Sequence, residues 1–220
     1  VAIQDLPVVM CLDRGGLVGE DGVTHHGVFD MAAFGAVPGL VIAAPMNEPE
    51  LRNMMYTALG SGHPFMIRYP RGHGEGLPWR GEKFETLPVG RGRRLREGAD
   101  VALLTVGTVG NAAARAAGRA AAEGVSVAHY DLRFVKPLDE ALLDEVGRKF
   151  RRVVTVEDGS LRGGVGEAVA AFFNGRGYDV RVQRLGIGDE GVEHGTPGQL
   201  YALCGYDEEG ILRALLDTRA

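Results

Sequence analysis

"VALLTVGTVGNAAARAAGRAAAEGVSVAHYD", Val101–Asp131, is the stretch on which the fold turns. It begins with an apolar run, "VALLTVG", of the kind a strand buried on both faces requires, and ends on a second, "VSVAHYD". Val109 to Glu123 between them reads as a helix. Strand, helix and strand at this spacing make a parallel βαβ unit, and the twist of the strands makes its crossover right-handed. The same alternation continues downstream. "RVVTVED" and "VRVQRLG" read as strands, and helices are expected at Asp139 to Phe150, Gly164 to Gly175 and Pro197 to Leu216, the last broken near Gly205. Asp139 is a good N-cap, with Leu142, Val146 and Phe150 on one face.

Upstream, Arg71 to about Gly98 is rich in glycine, proline and charge and has no sustained periodicity, as a connection between domains would be. Its "TLPVGRGRRL" adds an edge strand or a solvated linker. Before it, "LPVVMCLD" (Leu6 to Asp13), "LVIAAP" and "FMIRYP" read as strands buried on both faces. "NEPELRNMMYTALGSG" supplies a helix with Asn47 as N-cap, Pro49 in the first turn and Glu50 at the capping-box position. Leu51, Met54, Met55, Ala58 and Leu59 form its apolar stripe, and Gly60 stops it. The expected architecture is α/β, with mostly parallel sheets flanked by helices, divided into residues 1–84 and 85–220.

The 220 residues are 45% apolar and carry a net charge of −5, which gives no electrostatic case for nucleic acid. No apolar run reaches the length of a membrane span. "VAIQDLPVVM" lacks a basic n-region and starts on valine, so it reads as a chain beginning within something longer, not as a signal peptide. Cys11 and Cys204 lie far apart in apolar settings and are expected as buried free thiols in a reducing cytosol.

Loops at the carboxyl ends of parallel strands carry the active sites of open α/β sheets. "DRGGLVGEDGVTHHGVFD" leaves the first strand at that end with Arg14, Asp21 and His25. Arginine grips phosphate or carboxylate through its planar fork, and histidine near a carboxylate moves a proton near neutral pH. Plainer readings stand beside these: Asp21-Gly22 as a turn, His25 as a surface residue. "IRYPRG" delivers Arg71 to the same edge. Two arginines and a histidine in one crevice suit a small phosphorylated anion, although Arg68 or Arg71 could instead pair with a boundary acid such as Glu75. "EDGSLRGGVGEAV" matches neither dinucleotide nor P-loop patterns, and close packing of helix on sheet accounts for Gly163, Gly164 and Gly166.

Taken together, the His25 loop, "PGLVIAAPMNEPELRNMMYTAL", "IRYPRG", "DLRFVKPLDEALL" and "VTVEDGSLRGGVGEAV" resemble the 1-deoxy-D-xylulose-5-phosphate synthases, thiamine-diphosphate enzymes of the transketolase superfamily. The resemblance runs essentially end to end. It implies the back half of a pyrimidine-binding domain followed by a complete transketolase C-terminal domain, which in the family serves packing and dimer contacts. It also implies a transferase of aldehyde or ketone residues that condenses pyruvate with glyceraldehyde 3-phosphate, loses carbon dioxide and feeds isoprenoid, thiamine and pyridoxal synthesis. By motif, Arg14 and Arg71 match the binders of the triose phosphate group. His25 matches the histidine that bonds the reacting oxygens, and Asp21 the acid near the acceptor's hydroxyl end. His26 falls where relatives often have glutamine and has no assigned role.

Family members are much longer chains of three domains. Their "GDG" stretch for diphosphate and Mg2+, the activating glutamate and the stacking aromatic have no counterpart here. The resemblance therefore implies an amino-terminal portion as partner, covering the open edge of the first sheet, with this chain inactive alone, a cytoplasmic location and a homodimer. Two competitors share the fold: another thiamine-dependent transketolase or 2-oxoacid dehydrogenase β-chain, and a non-catalytic assembly module.

Overall fold

The strand–helix–strand unit that leads the sequence reading forms as expected. In the computed structural model, which describes residues 1–217, β5 (Val101–Val106) and β6 (Val127–Asp131) pair in parallel across α3 (Val109–Ala122). Alanines dominate α3 because its inner face lies close on the sheet. Val109, Ala113, Ala116, Ala117 and Ala120 recur at helical spacing, and all are buried. β8 (Arg152–Ser160) and β9 (Arg181–Ile187) extend the sheet in parallel on one side. On the other side β4 (Arg93–Arg96) closes it antiparallel to β6, the order being β4-β6-β5-β8-β9. Helices α4 (Glu140–Lys149), α5 (Val165–Gly175), α6 (Pro197–Leu203) and α7 (Glu208–Leu216) complete this half. Asp139 caps α4 through the Leu142 amide at 3.1 Å, and Leu143, rather than Leu142, joins Val146 and Phe150 inside.

The first half contributes β1 (Val9–Leu12), α1 (Asp30–Gly35), β2 (Val41–Ala43), α2 (Glu48–Gly60) and β3 (Phe65–Arg68). β3 lies between β1 and β2 and is parallel to both. A fourth strand, β7 (Phe134–Lys136), joins antiparallel to β2 although it follows β6 in sequence. The chain therefore crosses back from the second sheet to finish the first. Phe134 is fully buried there, edge-on to Phe65 at 6.3 Å between ring centroids. No periodicity signals this crossing, because three residues are too few to show one.

Two expectations fail at the margin of this sheet. β1 is an edge strand, half-buried and not enclosed on both faces, and among the described residues no strand pairs with its outer side. Cys11, expected to be buried, is consequently exposed, and Cys204 is half-buried. Burial on both faces needs a neighbouring layer on each, which an apolar run cannot guarantee by itself.

The two halves meet through charge. Asn47 caps α2 by accepting the Glu50 amide at 3.1 Å, but Glu50 does not complete the capping box. Its carboxylate turns to Arg133, at 2.7 and 2.9 Å, and to Arg93 at 2.8 Å. Arg93 in turn reaches Asp131 at 3.1 Å. Burial pushes the Asp131 carboxyl up to about 6 against the pull of Arg93. A carboxylate leaving water gains more from guanidinium groups than from one exposed amide, and so the seam wins over the cap.

The glycine-rich turn after β8 is packing, as its sequence suggests. A Cβ on Gly164 would come within 2.2 Å of the Ser160 carbonyl oxygen and 2.4 Å of Glu157. Glu157 already occupies the head of α5, accepting the Val165 and Gly166 amides at 2.8 Å each. Those two amides are therefore not open to a phosphate. Burial outweighs these donors and pushes the Glu157 carboxyl up to about 7.

Replacing Glu50 by alanine strands Arg133 at the seam, leaves Arg93 with Asp131 alone, and should cost about 3 kcal/mol in urea unfolding followed by circular dichroism. A loss under about 0.5 kcal/mol, the scale of ordinary surface substitutions, would refute its role as a tie between the sheets. For Glu157 the native carboxyl holds its proton more tightly than the unfolded one. Its contribution to stability is therefore full below the unfolded pKa of 4.5 and fades as pH rises through about 7. Between pH 4.5 and 7.5 the wild type should lose roughly 3 kcal/mol more stability than Glu157→Gln. Parallel pH curves for the two proteins would be evidence against the shift.

Candidate functional site

β1 and β3 are adjacent and in register, Leu12 opposite Arg68, so the loops following them leave the same carboxyl edge side by side. This brings Arg14 and Arg71 together. Arg14 sits in the left-handed region, φ 60°, which a side chain with a Cβ enters at a cost. The surroundings impose it: Gly15 donates to the Tyr69 carbonyl at 2.9 Å, while Gly16 and Gly27 exchange amide bonds at 2.8 and 2.9 Å. These last two bonds close the base of the loop.

Within the loop Gly19–Asp21 makes a single 3-10 turn, which aims Asp21 back at the arginines. Its Oδ2 accepts from Arg71 Nη1, and Arg14 Nε stands 3.8 Å from the same oxygen. The Arg71 guanidinium holds the Asp21 carboxyl below the usual carboxylate range, with His25 and Arg14 adding to the effect. Neither Arg68 nor Arg71 pairs with Glu75, the boundary acid considered from sequence. Arg71 takes Asp21, and Arg68 is buried on Asp30 at 2.7 Å.

His25 is exposed, its Nδ1 bonded to Thr24 Oγ1 at 3.0 Å, which leaves Nε2 without a hydrogen-bond partner among the described residues. His26 turns the other way. Its Nδ1 accepts the Val18 amide at 3.2 Å, so the proton lies on Nε2, 3.4 Å from the Glu193 carbonyl. His26 is thus a strut between the loop and the segment preceding α6. Adjacent histidines have opposite duties here because their side chains diverge.

The structure thus gathers Arg14, Asp21 and Arg71 into one cluster and puts His25 on the same loop. Beside it, between the two halves, opens a cleft of about 660 Å³ lined by Arg71, Tyr69, Asn47 and Tyr201 among others. Sequence reasoning missed the foundation of the loop: Arg68, Asp30, Asp158, Tyr201 and Tyr206. Arg68 donates to Gly27 and to the Asp158 carbonyl at 3.2 and 3.0 Å. No local pattern could link residues this far apart along the chain.

Comparison with known proteins identifies the family of the chain. The model of the transketolase pyrimidine binding domain matches residues 1–75, and that of the transketolase C-terminal domain matches residues 90–211. The 1-deoxy-D-xylulose-5-phosphate synthase of Bacteroides fragilis is 57% identical over all of this chain, and that of Bacteroides thetaiotaomicron is 56% identical over 98% of it. In each case the chain spans 34% of the relative's length. A solved structure described as a split gene transketolase, inactive beta4 tetramer, superposes with a TM-score of 0.86 at 27% identity, covering 98% of this chain and 68% of that one. A pyrimidine-binding sheet and a C-terminal sheet, joined in this order, make this chain a member of the transketolase family.

Proposed function

We propose that this chain forms the acceptor side of a thiamine-diphosphate-dependent synthase that condenses pyruvate with glyceraldehyde 3-phosphate, releasing carbon dioxide, to give 1-deoxy-D-xylulose 5-phosphate. The observation that carries this reading is the Asp21 carboxylate held between Arg14 and Arg71, in a chain 57% identical to a synthase of that name. Arg71 binds that oxygen, and Arg14, paired with Asp13 at 2.7 Å, stands 3.8 Å from it; two guanidinium groups this close mark a place for an anion, and a triose phosphate brings one.

On this reading the phosphate takes over Arg14 and Arg71. Asp21, released from them, faces the hydroxyl end of the acceptor. His25 then presents Nε2 to the reacting oxygens, to hold or pass a proton, while Thr24 fixes the other ring nitrogen. Arginine clamps of this kind contribute by orientation as well as affinity.

Among the described residues no three His, Cys, Asp or Glu side chains are placed together to hold a metal ion, and on this reading the diphosphate and its Mg2+ belong to the amino-terminal portion. No step is therefore assigned to the cofactor on this chain. An amino-terminal portion of the same enzyme would bring those groups and pair with the exposed β1 edge, since unpaired strand edges attract partners. We accordingly expect the chain to be inactive alone, in line with the inactive state named for the split-gene neighbour. Division at residues 84 and 85, a homodimer and a cytoplasmic location go with this reading. No helix is long and apolar enough to cross a membrane among the described residues.

Steady-state kinetics on the chain combined with its amino-terminal portion provide the test. Arg71→Ala should raise KM for glyceraldehyde 3-phosphate about 10- to 100-fold, the worth of a charge-assisted bond, and leave that for pyruvate within about twofold. Equal effects on both substrates would remove the phosphate role. His25→Ala should lower kcat about 100-fold or more with folding intact. Unchanged turnover would instead favour a non-catalytic module, and lipoyl acceptors outperforming the triose phosphate would favour a 2-oxoacid dehydrogenase β-chain.

A further inference from the structure

Asp158 stands on β8 of the second sheet, 4% exposed, yet its contacts reach into the loop of the first. Oδ1 accepts the Leu17 amide at 3.0 Å and the Tyr206 hydroxyl at 2.7 Å, and Oδ2 lies 3.4 Å from the Tyr201 hydroxyl. Its backbone carbonyl takes Arg68 Nη2 at 3.0 Å, and Arg68 also holds Asp30 and the Gly27 carbonyl. Gly16 lies so close that a Cβ there would fall 1.9 Å from Oδ2, at a φ of 83° that favours glycine. One end of the Gly16–Gly27 segment, the base from which Asp21 and His25 project, is thus bound at Leu17 directly to one buried residue of the other domain, and the other end, Gly27, is linked to its backbone carbonyl through Arg68.

We propose that Asp158 is a positioning residue for the acceptor site, setting the conformation of the Arg14–Gly27 loop from the second domain through the Leu17 amide and Arg68. A buried carboxylate suits this duty. Leu17 is 1% exposed, so its amide has no water to turn to, and an acceptor with several lone pairs serves the amide and both tyrosines at once. Tyr201 and Tyr206 complete the arrangement, with rings 5.2 Å apart between centroids. The site is therefore split between domains. The first carries the groups that meet substrate, and the second carries the residue that holds them in place.

The role in catalysis rests on the function proposed above, and the experiment separates the two. Hydrogen exchange read by mass spectrometry on this chain, wild type against Asp158→Ala, should show exchange over residues 14–27 about tenfold faster, the scale of a lost buried acceptor. Exchange in α3 and β5 should not change. Asp158→Asn keeps an acceptor for Leu17 and Tyr206 and should restore the wild-type rate. If Asp158→Ala does not fold, Gly16→Ala attacks the same contact from the loop side and should loosen the same peptide. In the combined enzyme Asp158→Ala should then raise KM for the triose phosphate more than that for pyruvate.

Unchanged exchange at 14–27, or equal acceleration in α3, would overturn the positioning role whatever the kinetics. A loosened loop with both KM values unchanged would uphold Asp158 as the loop's anchor and would count against the acceptor reading of the loop.

Discussion

A carboxylate removed from water must find donors, and at the seam of this molecule the donors come from across it. Glu50 leaves its own helix terminus for Arg133 and Arg93. Asp131 takes Arg93, and Asp158 takes the Leu17 amide. The Glu50 and Asp158 pairs each have one member in the first domain and one in the second, and Asp131, within the second, holds the Arg93 that reaches Glu50. Left single, any of these groups would pay the full cost of desolvation, and for that reason the cross-domain pairs tie the two sheets together. β7 adds to this constraint in the backbone, because its residues leave the second sheet to hydrogen-bond β2.

The loop with Arg14, Asp21 and His25 depends on that placement. It is too rich in glycine to keep a shape by local preference, since glycine has the most freedom to lose. Its form comes instead from what it touches: the Gly16–Gly27 exchange at its base, Asp158 beneath Leu17, and the Glu193 carbonyl beside His26. A flexible sequence in a rigid cradle can let side chains close on a substrate without refolding the backbone. Held this way, the exposed ring of His25 and the Asp21 oxygen beside Arg71 are set by residues outside the loop.

Much of this was open to a reader of the sequence. Asn47 and Asp139 cap the helices expected of them, because a cap is a contact over three residues. Glycines 163, 164 and 166 pack as their spacing suggested, and "RGRRLRE" includes an edge strand. Arg14 and Arg71 converge because parallel strands deliver their following loops to one edge, a rule that needs no coordinates. The misreadings have a common cause. Glu50 matched a capping box and Cys11 an enclosed strand, and in both cases a distant part of the chain, or the lack of a neighbour on one side, decided otherwise.

By itself, then, the sequence determined most of the elements, their alternation into parallel sheets, the edge at which Arg14 and Arg71 gather and the family to which that pattern belongs. These are consequences of periodicity, capping and strand direction, and act over a few residues. Tertiary structure alone decided that Asp21 lies between the two arginines, that His25 and His26 part company, that residues 134–136 belong to the first sheet and that Asp158 underpins the loop. Leu17 and Asp158 are 141 residues apart in the chain. Contact over such a separation follows from burial and the pairing of polar groups in the whole fold, which no local pattern encodes.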